Sequence, residues 1–129
     1  MRRVRRPLLA LIALVVALGV GYGIRALGSS SSHTEIHAIA LSSLPPQAAT
    51  TVHLIEVGGP FPYPHSDGVV FHNNEHRLPR EPDGYYHEYT VPTPGSPDRG
   101  ARRIITARSG SFYYTGDHYT TFELVDVTR

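Results

Sequence analysis

Tyr85-Tyr86-His87-Glu88-Tyr89-Thr90-Val91 is the stretch on which the reading of this chain turns. Aromatic and β-branched residues fill five of its seven positions, a composition that suits a pleated, half-buried surface. The turn signal Glu81-Pro82-Asp83-Gly84 precedes it and the Pro/Gly-rich loop Pro92 to Gly100 follows, so the run reads as a strand. Alternation along a strand puts Tyr86, Glu88 and Thr90 on one face and His87, Tyr89 and Val91 on the other. Glu88 is the residue that stands out. By itself it reads as a solvated strand carboxylate, and its companions decide whether it is more.

Working outward, Arg102 to Ala107 is a second strand, in which Arg103 and Ile105 share a face opposite Arg102 and Ile104. Ser109-Gly110 is a turn, Phe112 to Thr115 a third strand, and Phe122 to Val127 a last one. Upstream, Val69 to Phe71 is a short strand behind the proline-rich loop Pro60 to Gly68. Leu44-Pro45-Pro46 is a helix-start signal, and Gln47 to Val57 carries Val52 and Ile55 at helical spacing until Gly58-Gly59-Pro60 stops it. His33 to Leu41 alternates loosely and reads as a short first strand. One early helix followed by consecutive antiparallel strands predicts an α+β fold, with one N-terminal α-helix packed on a small antiparallel sheet. The sequence shows no internal repeat.

The first segment is set apart from that fold. Arg2, Arg3, Arg5 and Arg6 precede an apolar run from Leu8 to Ile24, and Arg25-Ala26-Leu27-Gly28 leads into four serines. This reads as a signal peptide over residues 1–28 or as an uncleaved signal anchor, since the run is at the short edge for a membrane span. A linker at 29–38 and a domain at 39–129 follow. In both cases the arginines stay inside and the domain is expected outside the cytoplasm, touching a membrane only through this segment. The charge balance changes accordingly. The whole chain carries 12 Arg+Lys and 11 Asp+Glu, for a formal charge of +1, but five of the arginines lie before Ser29. The remainder has seven bases against 11 acids, a net charge of −4. It is not a general polyanion-binding surface. Positive charge for an anionic substrate has to be local, and Arg99, Arg102 and Arg103 are where it concentrates. There is no cysteine, so no disulfide braces the domain.

Glu88, the arginine cluster and His118, in Tyr113-Tyr114-Thr115-Gly116-Asp117-His118-Tyr119, make up a chemically coherent set. A carboxylate and an imidazole can trade a proton, while guanidiniums stabilise phosphate charge. His72-Asn73-Asn74-Glu75-His76 matches an inverted zinc-peptidase pattern, but that motif needs a helix and here it follows a strand-like Val-Val-Phe and runs into Pro79. No metal site and no cofactor are expected. Tyr85, Tyr86, Tyr113 and Tyr114 read as packing residues.

Several segments, in order, resemble the guanyl-specific microbial ribonucleases, the family of ribonuclease T1 and barnase, and its secreted actinomycete members in particular. They are Leu41 to Pro46, Gly59 to Tyr63, Asp67 to Phe71, Gly84 to Val91, Arg99 to Thr106 and Tyr113 to Tyr119. The resemblance implies an endoribonuclease that cleaves single-stranded RNA on the 3′ side of G without a metal. Glu88 would be the general base on the ribose 2′-OH and His118 the general acid on the leaving 5′-oxygen, with Arg99 and Arg103 on the phosphate. Phe71, His72, Asn73, Asn74 and Glu75 would form the base site, Glu75 accepting from guanine N1–H and N2–H. Phe71 and Tyr119 are stacking candidates, and Tyr119 has phosphate contact as its alternative. A monomer is implied, as is a barstar-like inhibitor protein as partner. Two other readings stay open at this stage: a non-catalytic binding module of the same fold, and a toxin domain held by an inhibitor.

The chain also departs from those relatives. Ala40 and Arg129 stand where terminal cysteines are expected, which forgoes about 3–5 kcal/mol of disulfide stabilisation. His72 and Asn74 differ from the expected base-loop residues. The loop before Asp67 is one residue longer, and the turn at Ser109 to Ser111 one shorter.

Overall fold

The computed structural model describes residues 37–129. The basic segment, the apolar run, the serines and the start of the 33–41 strand reading lie outside the described residues. The elements are β1 (Ile39–Ala40), a 3₁₀ turn (Leu41–Ser43), α1 (Pro46–Val57), β2 (Val69–Phe71), β3 (Tyr86–Thr90), β4 (Arg103–Ala107), β5 (Phe112–Thr115) and β6 (Glu123–Asp126).

α1 begins where the prolines permit it. Pro46 occupies the first turn, where its missing N–H costs nothing, and the Ala48 N–H reaches the Pro45 carbonyl at 2.8 Å. The helix ends at Gly58, whose φ of 82° is the left-handed conformation that glycine adopts without strain. The Gly59 N–H then closes the end on the Leu54 carbonyl at 2.8 Å. Ala48, Thr51 and Val52 form the buried stripe, and Ile55, expected in the core, packs against its edge half-buried. Thr51 turns its hydroxyl to the Thr90 carbonyl at 3.1 Å, which ties the helix to the end of β3 without leaving a buried donor unpaired.

The sheet order is β1-β6-β5-β4-β3-β2. β2 through β6 are joined by successive antiparallel pairings, as the sequence predicts. β1 departs from that prediction in two ways. It runs parallel to β6, pairing Ile39 with Val125 and Ala40 with Asp126, so the sheet is mixed. Because α1 lies between β1 and β2, the chain crosses the sheet and the two strands end at opposite edges, where no hairpin can join them. β1 is also shorter than read, because Leu41 opens the 3₁₀ turn. There the Ser43 hydroxyl takes the Ala40 carbonyl at 2.6 Å and competes with further ladder pairing.

Each face of the sheet carries a core. Facing α1, Ile104, Val91, Tyr114 and Val125 pack on Ala48 and Val52. On the other face Tyr86, Ile105 and Ala107 pack with Leu78 and the rings of Phe71, Tyr113 and Phe122. Each fully buried aliphatic side chain contributes about 1.5–3 kcal/mol. The seam at β1 is closed without a covalent bridge. Arg129 donates to Asp126 at 2.7 Å and to the Ala38 carbonyl at 3.1 Å, and its own carbonyl accepts from Ser42 N–H at 3.1 Å. One of the two positions where a cysteine was expected thus holds the chain ends together by charge and hydrogen bonds.

Candidate active site

β3 and β4 set the site out by register. Glu88 lies opposite Ile105 and Val69, and Thr90 lies opposite Arg103. Glu88 and Thr90, which strand parity puts on one face of β3, therefore share the face turned away from α1 with Arg103. Asp67 fixes the far end of β3: one carboxylate oxygen accepts from Thr90 N–H at 2.7 Å and the other from Tyr63 N–H at 3.1 Å.

Arg103 is 2% exposed. Its Nη1 donates to the carbonyls of Gly100, at 3.0 Å, and Arg102, at 2.7 Å, while its buried Nε has no partner. Among the described residues no carboxylate lies within ion-pair distance of it. A buried guanidinium without a counter-charge is costly by itself and attracts an anion. Arg99 reaches the same place from the β3–β4 loop and donates to Thr90 Oγ1 at 3.1 Å. That loop is tightly built: Gly100 has φ 67°, and a β-carbon there would come within 2.6 Å of Thr93 Oγ1. Asp98 organises it, accepting from Gly100 N–H at 2.7 Å and from the Ser96 hydroxyl at 3.0 Å. These bonds hold the Asp98 carboxyl below its ordinary range, with smaller help from Arg103 and His118.

The loop between β5 and β6 presents His118. His118 and Tyr119 are both left-handed, with φ 55° and 70°, a conformation that costs roughly 1–2 kcal/mol per non-glycine residue. The surrounding bonds impose it. Asp117 accepts from the Thr115 hydroxyl at 3.0 Å and from Thr121 through N–H at 2.9 Å and hydroxyl at 2.7 Å. The Thr121 bonds lead in lowering the Asp117 carboxyl to about 2. His118 N–H donates to the Ala101 carbonyl at 3.0 Å, which docks this loop on the arginine loop.

Tyr119 joins the two halves. Its ring stacks on Phe71 with centroids 5.4 Å apart and planes 22° apart, and its hydroxyl donates to Glu88 Oε2 at 2.8 Å. The guanidinium carbon of Arg103 lies 5.9 Å from the ring centre. Burial, then the Glu88 carboxylate, push the phenol above its ordinary value against the opposing pull of Arg103, so the hydroxyl stays a donor.

The base-loop residues gather as the sequence suggests. A pocket of about 370 Å³ is lined by Phe71, His72, Asn73, Asn74 and Glu75, and also by Glu88 and Tyr119. A shallower cleft of about 640 Å³ is lined by Arg99, Arg103 and His118 with Asp98, Gly100 and Ala101. Asn73 plays a different part from its neighbours. It is buried, with φ 52°, and its side chain is spent inside the loop on Leu78 N–H at 3.1 Å and the Leu78 carbonyl at 3.0 Å. It shapes the base loop from within, leaving only backbone groups for a ligand. His72 pairs with Asp83 at 2.7 Å on the outside. The Cβ-to-carboxylate reach of Glu75 is met by Arg77, whose Nε donates to Glu75 Oε2 at 2.8 Å. Arg77, Asp98 and Asp117 are the working residues that the sequence reading missed. Arg77 lies in a loop, where no periodicity applies, so no signal in the sequence marks it. No group of three or more potential metal ligands occurs among the described residues.

A profile of the ribonuclease family matches residues 28–126. Guanyl-specific ribonuclease Sa of Kitasatospora aureofaciens is 58% identical over 91 residues, covering 70% of this chain and 94% of the relative. Guanyl-specific ribonuclease St of Saccharopolyspora erythraea is 54% identical over 89 residues, covering 69% and 87%. Among solved structures, ribonuclease Sa2 with guanosine-2′-cyclophosphate superposes with a TM-score of 0.68 at 48% identity, covering 73% of this chain and 99% of that one. The chain, with a pocket lined by Glu88 and Tyr119 and a cleft lined by Arg103 and His118, belongs to the guanyl-specific microbial ribonucleases.

Proposed function

We propose that this chain is an endoribonuclease that cleaves single-stranded RNA 3′ of guanosine, with Glu88 as base, His118 as acid, and Arg99 and Arg103 as the phosphate anchors. The observation that carries the assignment is the position of Glu88, which lines the base pocket and lies on the same sheet face as the buried, uncompensated Arg103. A nucleotide with its base against Phe71 and Glu75 would bring its ribose to Glu88 and its 3′-phosphate to the cleft of Arg99, Arg103 and His118.

In the first step the Glu88 carboxylate takes the 2′-OH proton, O2′ attacks phosphorus and the P–O5′ bond breaks. His118 delivers its proton to O5′, leaving a 2′,3′-cyclic phosphate. In the second step His118 removes a proton from water, water oxygen attacks phosphorus, and O2′ leaves with the proton held by Glu88. The nucleophile belongs to the substrate, so DNA, which lacks the 2′-OH, does not react. The Tyr119 hydroxyl occupies one oxygen of Glu88 and leaves the other for the ribose. Arg103 stabilises the charge that gathers on the non-bridging oxygens, from a dry site that needs no reorganisation. Guanine offers two donors to Glu75, whereas adenine places an acceptor at N1 against the carboxylate and is disfavoured.

Export is part of the reading, supported by the arginines and apolar run that precede Ser29. So is a monomeric state, since Val57 and Val69 are the only exposed large hydrophobics among the described residues. Residues 33–129, with EDTA present, are expected to cleave GpN dinucleotides far faster than ApN. Full activity in Glu88→Gln combined with His118→Ala would refute the mechanism.

A further inference from the structure

Arg77 sits at the rim of the base pocket with its guanidinium divided between two loops. Nε donates to Glu75 Oε2 at 2.8 Å, within the base loop. Nη1 donates to the Thr120 carbonyl at 2.8 Å, in the loop that presents His118. Each loop is already braced from inside, the first by Asn73 on Leu78 and the second by Asp117 on Thr115 and Thr121. Among the described residues, the Arg77–Thr120 contact is the one hydrogen bond that joins them. Its removal therefore leaves both loops closed and joined only through the packing of Phe71 on Tyr119 and Phe122.

We propose that Arg77 is a positioning residue for base selection: it fixes the direction of the Glu75 carboxylate and holds the base loop in register with the His118 loop. The inference rests on the reading of Glu75 as the group that accepts from the base. Glu75 is largely exposed, with a side chain 72% accessible, and a long exposed side chain samples many rotamers unless something holds it. A carboxylate has about four acceptor positions, and Arg77 uses one of them on Oε2. Enough remain for the two adjacent donors of a guanine edge, and they point in a fixed direction. The guanidinium suits this task because its donors diverge from one plane, so a single side chain can serve a carboxylate and a carbonyl together. An ammonium at that place is a point charge on a flexible stem and cannot hold both in fixed geometry. Because the pair is exposed, its effect is modest and sensitive to salt.

The test is steady-state cleavage of GpN and ApN dinucleotides by the wild-type protein, Arg77→Ala, Arg77→Lys, Glu75→Ala and the double variant, with thermal unfolding as a folding control. Arg77→Ala is expected to raise KM for GpN about five-fold with kcat nearly unchanged and ApN cleavage unaffected. Arg77→Lys should recover less than half of that loss. The double variant should discriminate no worse than Glu75→Ala, because Arg77 acts through Glu75. High salt should narrow the wild-type G/A ratio toward that of Arg77→Ala. An unchanged G/A ratio in Arg77→Ala, equal losses on GpN and ApN, or losses that add to those of Glu75→Ala would each overturn the inference. Retained guanine preference in Glu75→Ala would instead sink the assignment of Glu75 itself, whatever Arg77 does.

Discussion

On β4, Ile104 faces α1 and Arg103 faces away from it, and they are 0% and 2% exposed. Neighbours in sequence, they are equally hidden and opposite in chemistry. Ile104 lies among Ala48, Val52, Val91 and Tyr114 in an apolar cluster, where burial is its own reward. Arg103 lies among carbonyls, Thr90 and Tyr119, with one N–H unpaired and no carboxylate beside it. The apolar cores on the two faces therefore supply the stability that the arginine site consumes. The lesson is that burial alone does not separate core from site. What separates them is whether the buried group is satisfied before a ligand arrives.

The contrast can be broken most severely from the working face. His118→Ala should lower kcat by about 10³-fold while leaving thermal unfolding close to wild type, as read by dinucleotide cleavage and calorimetry. A comparable loss of stability would mean that the histidine loop is structural. The opposite pattern is expected on the helix face: Ile104→Ala should cost about 3–4 kcal/mol in urea unfolding and leave kcat of the folded fraction intact. Inorganic phosphate sharpens the comparison, because it should supply the anion that Arg103 lacks. At ten times its dissociation constant it should add about 1.4 kcal/mol of stability to the wild-type protein, and little or none to Arg103→Gln.

Titration gives the smallest effects. The buried Tyr86 phenol is pushed up to about 12, mainly by burial. A raised value means that the folded state keeps the proton longer, so its contribution is full below about pH 10 and fades as pH rises toward 12. Phenolate absorbance that develops together with unfolding in that window is the expected record. Asp117, lowered to about 2, has the reverse sign: its contribution is present above about pH 4 and is lost as pH falls toward 2. Acid should therefore loosen the His118 loop, and Asp117→Asn should remove that part of the dependence.

Much of this contrast was legible in the residues. Val69 to Phe71 and Phe112 to Thr115 form strands with the ends that composition predicts, because turn residues flank short β-branched or aromatic runs. Parity paired Glu88 with Thr90 and Arg103 with Ile105 within their strands, and the register then brings the two pairs onto one face. What escaped the sequence depends on distant partners. The parallel pairing of β1 with β6 rests on two residues, too few for any periodic signal. The left-handed backbone at His118 and Tyr119 follows from bonds to Thr115 and Ala101, which no local preference announces. Asn73 carries the composition of a ligand-binding residue, yet its amide is consumed five residues downstream. Arg77 declares itself only once the loop of Thr120 is seen beside it.

The Arg129 seam bears on the conditions in which this domain can fold. A disulfide at that place would need an oxidising compartment before the fold could close. A guanidinium on Asp126 and the Ala38 carbonyl closes in any compartment. The domain should therefore keep its melting temperature in the presence of a thiol reductant and lose some of it in concentrated salt. A domain closed in this way folds without an oxidant, so neither its assembly nor its persistence depends on the redox state around it.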